Sequence, residues 1–345
     1  MKAGLFLRPH HIEFADVPDP EPAKGDLVVK VRAATVCGTD IRIFRGRKTA
    51  GVRYPSVLGH EFAGEVVAPD GAGAFRIGQR VCVNPAIVCG VCASCKRGDE
   101  NLCENLQAIG YELDGAFAEY VRVPAAALAH GNVHEIPASL AFEEAALAEP
   151  FACVINGQER VGVKPGDSVV VLGAGPIGLL HVKYARFSGA RKVIVSEPSA
   201  DRRATALAAG ADVAVDPNAD DLGAIVRDNT HGAGADVVIV AIGVPALANT
   251  ALQLARRNGR VSLFAGFSVN EVAPLDVNLI HYSELTVTGA FGLARKHFER
   301  ALDLIAGARI DVASFVTHRF SLADIAAALE TSEKGAAIKV ALVSP

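Results

Sequence analysis

An apolar run closed by three glycines, Val169-Val-Val-Leu-Gly-Ala-Gly-Pro-Ile-Gly178, decides the fold. The run predicts a buried strand, and the glycines follow where a helix begins. In a dinucleotide-binding turn the first glycine permits the sharp turn, the second lets a pyrophosphate approach the backbone, and the third lets helix and strand pack closely. The helix start then offers free N–H groups to the phosphates. We therefore expect cofactor contacts from Gly173, Gly175, Pro176, Ile177 and Gly178.

An ordinary glycine turn between a strand and a helix is the alternative, and a downstream acid argues against it. A second predicted strand ends at Glu197, 24 residues beyond Gly173, where a ribose-binding carboxylate is expected. Such a carboxylate accepts hydrogen bonds from the 2′-hydroxyl and repels a 2′-phosphate, which favours NAD. Arg202 and Arg203 are either surface charges of a helix or partners for a 2′-phosphate, so NADP remains the alternative.

Strands and helices alternate from this turn onward, up to Thr288. The predicted strands are Ser168–Leu172, Lys192–Ser196, Asp212–Val215, Asp236–Ala241, Arg260–Ala265 and Glu284–Thr288. The predicted helices are Pro176–Gly189, Asp201–Ala209 and Pro245–Asn258. Short apolar strands alternating with helices are typical of a doubly wound parallel sheet in an α/β protein.

The first part of the chain, up to about residue 150, follows another pattern. Proline and glycine separate short strands, predicted at Leu27–Ala33, Phe62–Val67, Arg80–Val83 and Phe117–Val123. This pattern indicates an antiparallel, barrel-like domain. After Thr288, a helix at Arg295–Ala306 and a closing run at Ala337–Val343 remain, and we expect both to pack back on the first domain.

Composition limits the class of partner. The chain has 345 residues, of which 50% are hydrophobic and 21% charged, with a net charge of −4. It has no apolar run of about 18 residues and no signal-peptide pattern, so we expect a cytoplasmic protein outside the membrane. Without a dense block of basic residues, nucleic acid is not an expected partner. A small-molecule substrate is favoured.

Four of the seven cysteines lie in one loop, at Cys89, Cys92, Cys95 and Cys103. Four thiolates this close in sequence can surround one tetrahedral metal ion and leave no position for a substrate. A structural zinc is therefore predicted, and an iron–sulfur cluster is the alternative that spacing alone leaves open.

Three other segments carry mixed metal ligands: Cys37-Gly-Thr-Asp40, Gly59-His-Glu61 and Glu149-Pro150. Cysteine, histidine and carboxylate together suit a zinc site that keeps one position open for water or alcohol. Taken singly, each residue has an ordinary structural role. Spacing does not establish that the segments meet in the fold.

With these six motifs in order, the chain resembles the zinc-containing medium-chain dehydrogenases over essentially its full length, and most of all their sorbitol (L-iditol) and threonine dehydrogenase branch. The resemblance implies a GroES-like β-barrel catalytic domain at residues 1–152 and 289–345, and a Rossmann NAD-binding domain at residues 153–288. It also implies two zinc ions per chain, one catalytic and one structural. A homo-oligomer, dimer or tetramer, is expected with it.

The resemblance also assigns residue roles. It implies that Cys37 and His60 bind the catalytic zinc, that Glu61 and Glu149 bind it directly or through water, and that Thr39 takes the alcohol proton. The segments that resemble the border of the nicotinamide contain Phe264, Ala265, Gly266, Ala290 and Phe291. Cys153 matches a position beside the nicotinamide, with a buried inert thiol as the alternative.

The expected reaction moves a hydride between NAD and a secondary alcohol of a polyol or sugar derivative. Two departures from the family pattern bear on it. Arg42 stands where many relatives have a proton-passing histidine, and Ile43 stands where sorbitol dehydrogenases have a substrate-contacting tyrosine. Alternatives are a threonine or sugar-phosphate dehydrogenase and a nucleotide-binding protein without turnover.

Overall fold

The computed structural model describes residues 1–69, 74–268 and 271–344. The chain forms two compact units, described separately below: the first unit is Met1–Ala152 with Leu293–Pro345, and the second unit is Cys153–Gly292. No helix among the described residues is long and apolar enough to cross a bilayer.

The strands are β1 Lys2–Arg8, β2 His11–Asp16, β3 Leu27–Thr35, β4 Ser56–Val57, β5 Glu61–Ala68, β6 Arg80–Val83, β7 Ala86–Ile87, β8 Gln107–Ala108, β9 Tyr120–Val123, β10 Val133–Glu135, β11 Ser168–Leu172, β12 Lys192–Ser196, β13 Val213–Val215, β14 Ala235–Val240, β15 Ala255–Leu263, β16 Thr286–Gly289, β17 Val316–Phe320 and β18 Lys339–Val343. The helices are α1 Gly38–Phe44, α2 Ala93–Arg97, α3 Ala125–Ala129, α4 Phe142–Ala146, α5 Ala148–Val161, α6 Pro176–Phe187, α7 Ala200–Ala208, α8 Leu222–Asp228, α9 Ala246–Leu254, α10 Val277–Tyr282, α11 Arg295–Ala306 and α12 Ile325–Glu333.

The first unit is built around antiparallel strands. Its larger sheet has the order β10-β6-β5-β3-β18-β17, with β9 also paired to β3, and a smaller sheet has the order β2-β1-β4. Along β3 all but two of the nine side chains are buried, because this strand lies in the middle of the sheet. The late strand β18 pairs with β3 through Ala341 and Thr35, so the tail packs on the first unit as the sequence predicts.

The second unit is a six-stranded parallel sheet in the order β13-β12-β11-β14-β15-β16. Counted from the first strand of the sheet, this is the 3-2-1-4-5-6 order of the Rossmann fold. Every side chain of β11 is buried, as expected for a central strand covered on both faces. The strand order reverses between β11 and β14, and in such sheets ligands bind at the carboxyl ends of the strands at this point.

Several predicted bounds need correction. The helix predicted at Pro245–Asn258 ends at Leu254, and β15 starts directly at Ala255. No proline or glycine separates α9 from β15, so the sequence gives no boundary signal until Gly259. The sequence prediction also omits α8 and α10, which Asp221 and Asp276 begin as N-caps, together with β17 and α12 in the tail.

Candidate functional site

Three side chains from different parts of the first unit meet at one point. Cys37 is the N-cap of α1, His60 directly precedes β5, and Glu61 is the first residue of that strand. The ligand atoms of these three residues lie within 4.8 Å of one another. Because Glu61 pairs with Thr35 across the β3–β5 ladder, and Cys37 follows β3 by two residues, strand pairing itself places the donors together.

The imidazole of His60 lies against a buried carboxylate. Its Nδ1 lies 3.3 Å from Oδ1 of Asp40, a fully buried carboxylate on α1. Burial lowers the pKa of His60, but the charges of Asp40 and Cys37 outweigh burial and hold this pKa well above 6.5. A field that favours a proton on His60 also favours a cation beside it. A sulfur, an imidazole and a carboxylate are the donors that zinc accepts, so these residues fit a zinc ion.

A buried ion pair restrains Glu61. Nζ of Lys339 donates to Oε1 of Glu61 at 2.8 Å and lies 2.6 Å from Oε2, and both side chains are almost completely buried. The hydroxyl of Thr35 also donates to Oε2. Burial lowers the pKa of Lys339, but the charges of Glu61, Cys37 and Glu149 outweigh burial and raise it. Glu61 is therefore held at the site by neighbours that compete with a metal for its oxygens.

Tyr111 closes another side of the site. Its hydroxyl is 3.0 Å from Nε2 of His60, and the two rings are 4.9 Å apart between centroids. Burial raises the pKa of Tyr111, and the charges of Cys37, Asp40 and Glu149 raise it further, while a hydrogen bond with Thr39 acts in the opposite direction. Tyr111 is thus a neutral phenol that contacts both a candidate ligand and Thr39.

The other predicted residues of this site have different positions. Glu149 is at the start of α5, partly exposed, and stands outside the three-residue cluster, although its charge reaches Tyr111 and Lys339. The backbone N–H of Thr39 donates to Sγ of Cys37 at 3.4 Å. Ile43 is completely buried in the hydrophobic core, so it packs inside the unit rather than presenting a side chain to a ligand.

The four-cysteine loop forms a compact sulfur cluster. The Sγ atoms of Cys89, Cys92, Cys95 and Cys103 lie within 4.8 Å of one another. Backbone N–H groups donate to three of the sulfurs, among them the N–H of Cys89 to Sγ of Cys103 at 3.2 Å. Hydrogen bonds from the N–H groups of Val91 and Cys92 lower the pKa of Cys89 to about 6. This donor set fits one tetrahedral ion such as zinc.

In the second unit, the glycine turn has the shape that a dinucleotide requires. Gly173 has φ of +102°, a conformation that favours glycine. A Cβ added to Gly178 would lie 1.9 Å from the carbonyl oxygen of Gly173, so only glycine lets α6 pack this closely on β11. No side chain caps α6, and a Cβ on Gly175 would meet open space. The first N–H groups of the helix are therefore open to phosphates.

Glu197 lies beside this turn. Its carboxylate accepts hydrogen bonds from the N–H of Ala174 at 2.8 Å and of Ser199 at 3.0 Å. Arg203 faces inward, where its Nη1 donates to the carbonyl oxygen of Glu197 at 2.9 Å and pairs with Asp216 at 3.1 Å. Arg203 is thereby occupied by protein groups. Arg202, in the first turn of α7, is half-exposed.

The predicted nicotinamide border also lies in the second unit. Phe264 stands edge-on to the buried ring of His181, with centroids 4.6 Å apart, and Ala265 donates its N–H to the carbonyl oxygen of Val240. Gly266 follows in the same turn. Ala290 is half-buried, and the side chain of Phe291 is 63% exposed while its carbonyl accepts a hydrogen bond from Asn156.

Models of known protein families match parts of this chain in both units. Residues 23–137 match the model of the alcohol dehydrogenase GroES-like domain, and residues 176–307 match that of the zinc-binding dehydrogenases. The chain belongs to the zinc-type medium-chain alcohol dehydrogenases. The GroES-like and Rossmann architecture expected from the sequence is thus confirmed, as is an NAD(P)-dependent dehydrogenase that uses zinc.

Individual relatives of this dehydrogenase carry several activities. L-threonine 3-dehydrogenase of Pyrococcus furiosus is 36% identical over 93% of this chain and 91% of its own length. Sorbitol dehydrogenase of Bacillus subtilis is 32% identical over 96% of this chain and 93% of its own length. A structure described as a zinc-binding dehydrogenase of Sinorhizobium meliloti, bound to NADP, has a TM-score of 0.92 at 35% identity, covering 99% of both chains. An Escherichia coli structure described as a short chain alcohol dehydrogenase with NADH has a TM-score of 0.91 at 32% identity, covering 100% of this chain and 99% of the other.

Sequence reasoning missed three residues of the site. Asp40 is the last residue of the motif Cys37–Asp40, but the sequence did not predict a role for it. Tyr111 lies in a segment without a metal-ligand pattern. Lys339 is the most informative omission, because a lysine within the apolar closing run is a signal for a buried counter-ion.

Proposed function

We propose that this dehydrogenase oxidises a secondary alcohol of a polyol or sugar derivative, with NAD as the hydride acceptor and zinc bound at Cys37 and His60 with the carboxylates of Glu61 and Glu149. The convergence of Cys37, His60 and Glu61 within 4.8 Å carries this proposal. Zinc held there would supply a Lewis acid that stabilises negative charge on the alcohol oxygen. The likeness to both sorbitol and threonine dehydrogenases supports a small polar substrate.

Several residues of the first unit have different roles in the proposed reaction. Asp40 orients the His60 ring, so that Nε2 rather than Nδ1 faces the site. The hydroxyl of Thr39, which is hydrogen-bonded to Tyr111, would receive the proton of the alcohol. Arg42, whose guanidinium has donors and no acceptor, does not readily pass that proton on. In the proposed reaction, Tyr111 is the hydrogen-bond partner of the Thr39 hydroxyl.

In the second unit, the open start of α6 would bind the pyrophosphate, and Glu197 would bind the ribose hydroxyls. Preference for NAD is supported by the carboxylate of Glu197 and by the engagement of Arg203 with Asp216. Replacing Glu197 by Ala is expected to lower the ratio of NAD to NADP activity, while Asp201→Ala on the exposed face of α7 serves as the control. An unaltered ratio would remove Glu197 from cofactor selection.

The substitution Glu149→Ala tests the metal site. We expect loss of turnover by roughly a hundredfold or more with the NAD dissociation constant kept, because only the first unit loses a group. The matched control is Glu144→Ala, an acid on the neighbouring helix α4. Turnover is followed as NADH absorbance with polyols, aldoses and amino alcohols, and zinc content is measured by mass spectrometry. Full activity of the variant would show that Glu149 is dispensable.

Threonine oxidation is a second candidate because the L-threonine 3-dehydrogenase of Pyrococcus furiosus is 36% identical to this chain. The same spectrophotometric comparison separates the two. Turnover with threonine and none with sorbitol, galactitol or their derivatives would replace the first candidate by the second.

A further inference from the structure

The ammonium of Lys48 stands beside the site without an acidic partner. Lys48 is half-buried, and its Nζ donates to the carbonyl oxygen of Ala50 at 2.9 Å. Within the described part of the chain, no carboxylate lies within 4.0 Å of this nitrogen. A lysine ammonium has three donors, and Lys48 is only half-buried, so the donors that Ala50 does not use are accessible to a ligand.

The surroundings of Lys48 place this charge next to the catalytic machinery. Nζ lies 4.7 Å from the ring centroid of Tyr111, a cation–π contact. The hydroxyl at the other end of the same ring is 3.0 Å from Nε2 of His60. Lys48 and His60 therefore contact the same tyrosine side chain, which places the ammonium near the candidate metal ligands.

Glu112, the acid whose charge acts on Lys48, is also held by other groups. Its Oε2 accepts the N–H of Ala108 at 2.8 Å, and its Oε1 packs so close to Gly51 that an added Cβ there would be 1.9 Å away. Burial lowers the pKa of Lys48, Glu112 acts in the opposite direction, and the positive charge of Arg42 lowers it further. The positive charge of Arg42 thus acts on Lys48 together with the negative charge of Glu112.

From this arrangement we propose that Lys48 binds an anionic group of the substrate, a carboxylate or a phosphate carried on the same small molecule as the reacting secondary alcohol. The inference rests on the proposed function and narrows its substrate class to hydroxy acids or phosphorylated polyols. A neutral polyol offers the ammonium only hydroxyl oxygens as acceptors, whereas a carboxylate or phosphate adds the attraction between opposite charges to the hydrogen bond.

The test uses pairs of compounds that differ in the anionic group. Gluconate and sorbitol differ by a carboxylate, threonine and threoninol differ likewise, and sorbitol 6-phosphate differs from sorbitol by a phosphate. Each is compared by kcat/KM with NAD and by its dissociation constant from the zinc-loaded enzyme with NADH. We expect one acidic member to be favoured over its neutral partner by roughly tenfold to hundredfold. The pair that shows the preference identifies carboxylate or phosphate.

Two variants assign the preference to Lys48. Lys48→Met keeps the packing on Tyr111 and removes the charge, so the ratio of acidic to neutral substrate should fall to about one, and Lys48→Arg should retain most of it. Arg47→Met, at the exposed neighbouring residue, is the matched control and should keep the ratio. No acidic preference in the unaltered enzyme, in turnover or in binding, would overturn the inference, as would a preference that survives in Lys48→Met. If neutral polyols are still oxidised in that case, the proposed function stands without it.

Discussion

The buried pair between Lys339 and Glu61 gives the sharpest prediction for stability. In the variant Lys339→Met, the aliphatic stem is replaced by a side chain of similar length, and only the charge is lost. Glu61 then stays fully buried with the Thr35 hydroxyl as its remaining side-chain donor among the described contacts. Removing one partner of a buried pair costs about 3–5 kcal/mol, because the other charge is left uncompensated.

The size of the expected effect follows from the size of the first unit, about 200 residues. For domains of this length 1 kcal/mol shifts Tm by about 2–4 °C, so the variant should melt roughly 6–20 °C lower. The matched control is Lys334→Met, whose exposed pair with Glu330 has side chains 68% and 60% accessible. That control should change the free energy of unfolding by less than about 0.5 kcal/mol.

Thermal unfolding is followed by circular dichroism after zinc has been removed with a chelator, because a zinc ion at Glu61 would compensate the charge of that carboxylate and bound metal raises stability by mass action. A third protein, Glu61→Gln with Lys339→Met, removes both charges and should recover at least half of the loss. The reasoning is refuted if Lys339→Met melts within 2 °C of Lys334→Met, a difference of less than about 1 kcal/mol.

The remaining predictions concern the second unit and the sulfur cluster. Gly178→Ala should cost roughly 1–3 kcal/mol in denaturant unfolding, because its Cβ would lie 1.9 Å from the oxygen of Gly173, whereas Gly175→Ala, with open space around it, should keep stability and weaken NAD binding in a fluorescence titration. Equal stabilities of the two variants would contradict this packing argument. Burial lowers the pKa of His181 to about 3. Below pH 6.5 the unfolded chain therefore binds one more proton than the folded chain, and the free energy of unfolding decreases as the pH is lowered. From pH 7 to pH 5 this loss is about 2 kcal/mol, and it should be missing in His181→Asn; parallel pH profiles would count against it. Cys103→Ser should reduce the zinc content from two ions per chain to one by mass spectrometry, and loss of both ions would show that the two sites are not independent.

Much of the parallel sheet could be predicted because its strands are buried on both faces. Ser168–Leu172 and Lys192–Ser196 have the predicted bounds, since each is an apolar run that a turn or a polar residue ends. The transition at Ala255 could not be located, because no breaker separates α9 from β15. Short elements such as α8 carry too few turns for a clear period.

The candidate site was predictable only in part, for a physical reason. Cysteine, histidine and acidic residues are the usual zinc ligands, so Cys37, His60 and Glu61 can be recognised as candidate ligands from the sequence. Lys339 and Tyr111 belong to the site only because the fold brings them next to Glu61 and His60. Lys339 is 278 residues from Glu61 in the chain, and Tyr111 is 51 residues from His60, so only the packed strands and loops bring each pair together.

The position of Lys339 on β18 has a consequence for how the enzyme matures. A chain growing on the ribosome makes Glu61 early, yet it must add 278 further residues before the counter-ion of that carboxylate exists. Throughout that interval β3 lacks the neighbour that later fills the place beside Ala341. The carboxylate of Glu61 therefore has no lysine partner until those residues have been added, and the metal pocket acquires its final balance of charge only when the closing strand docks.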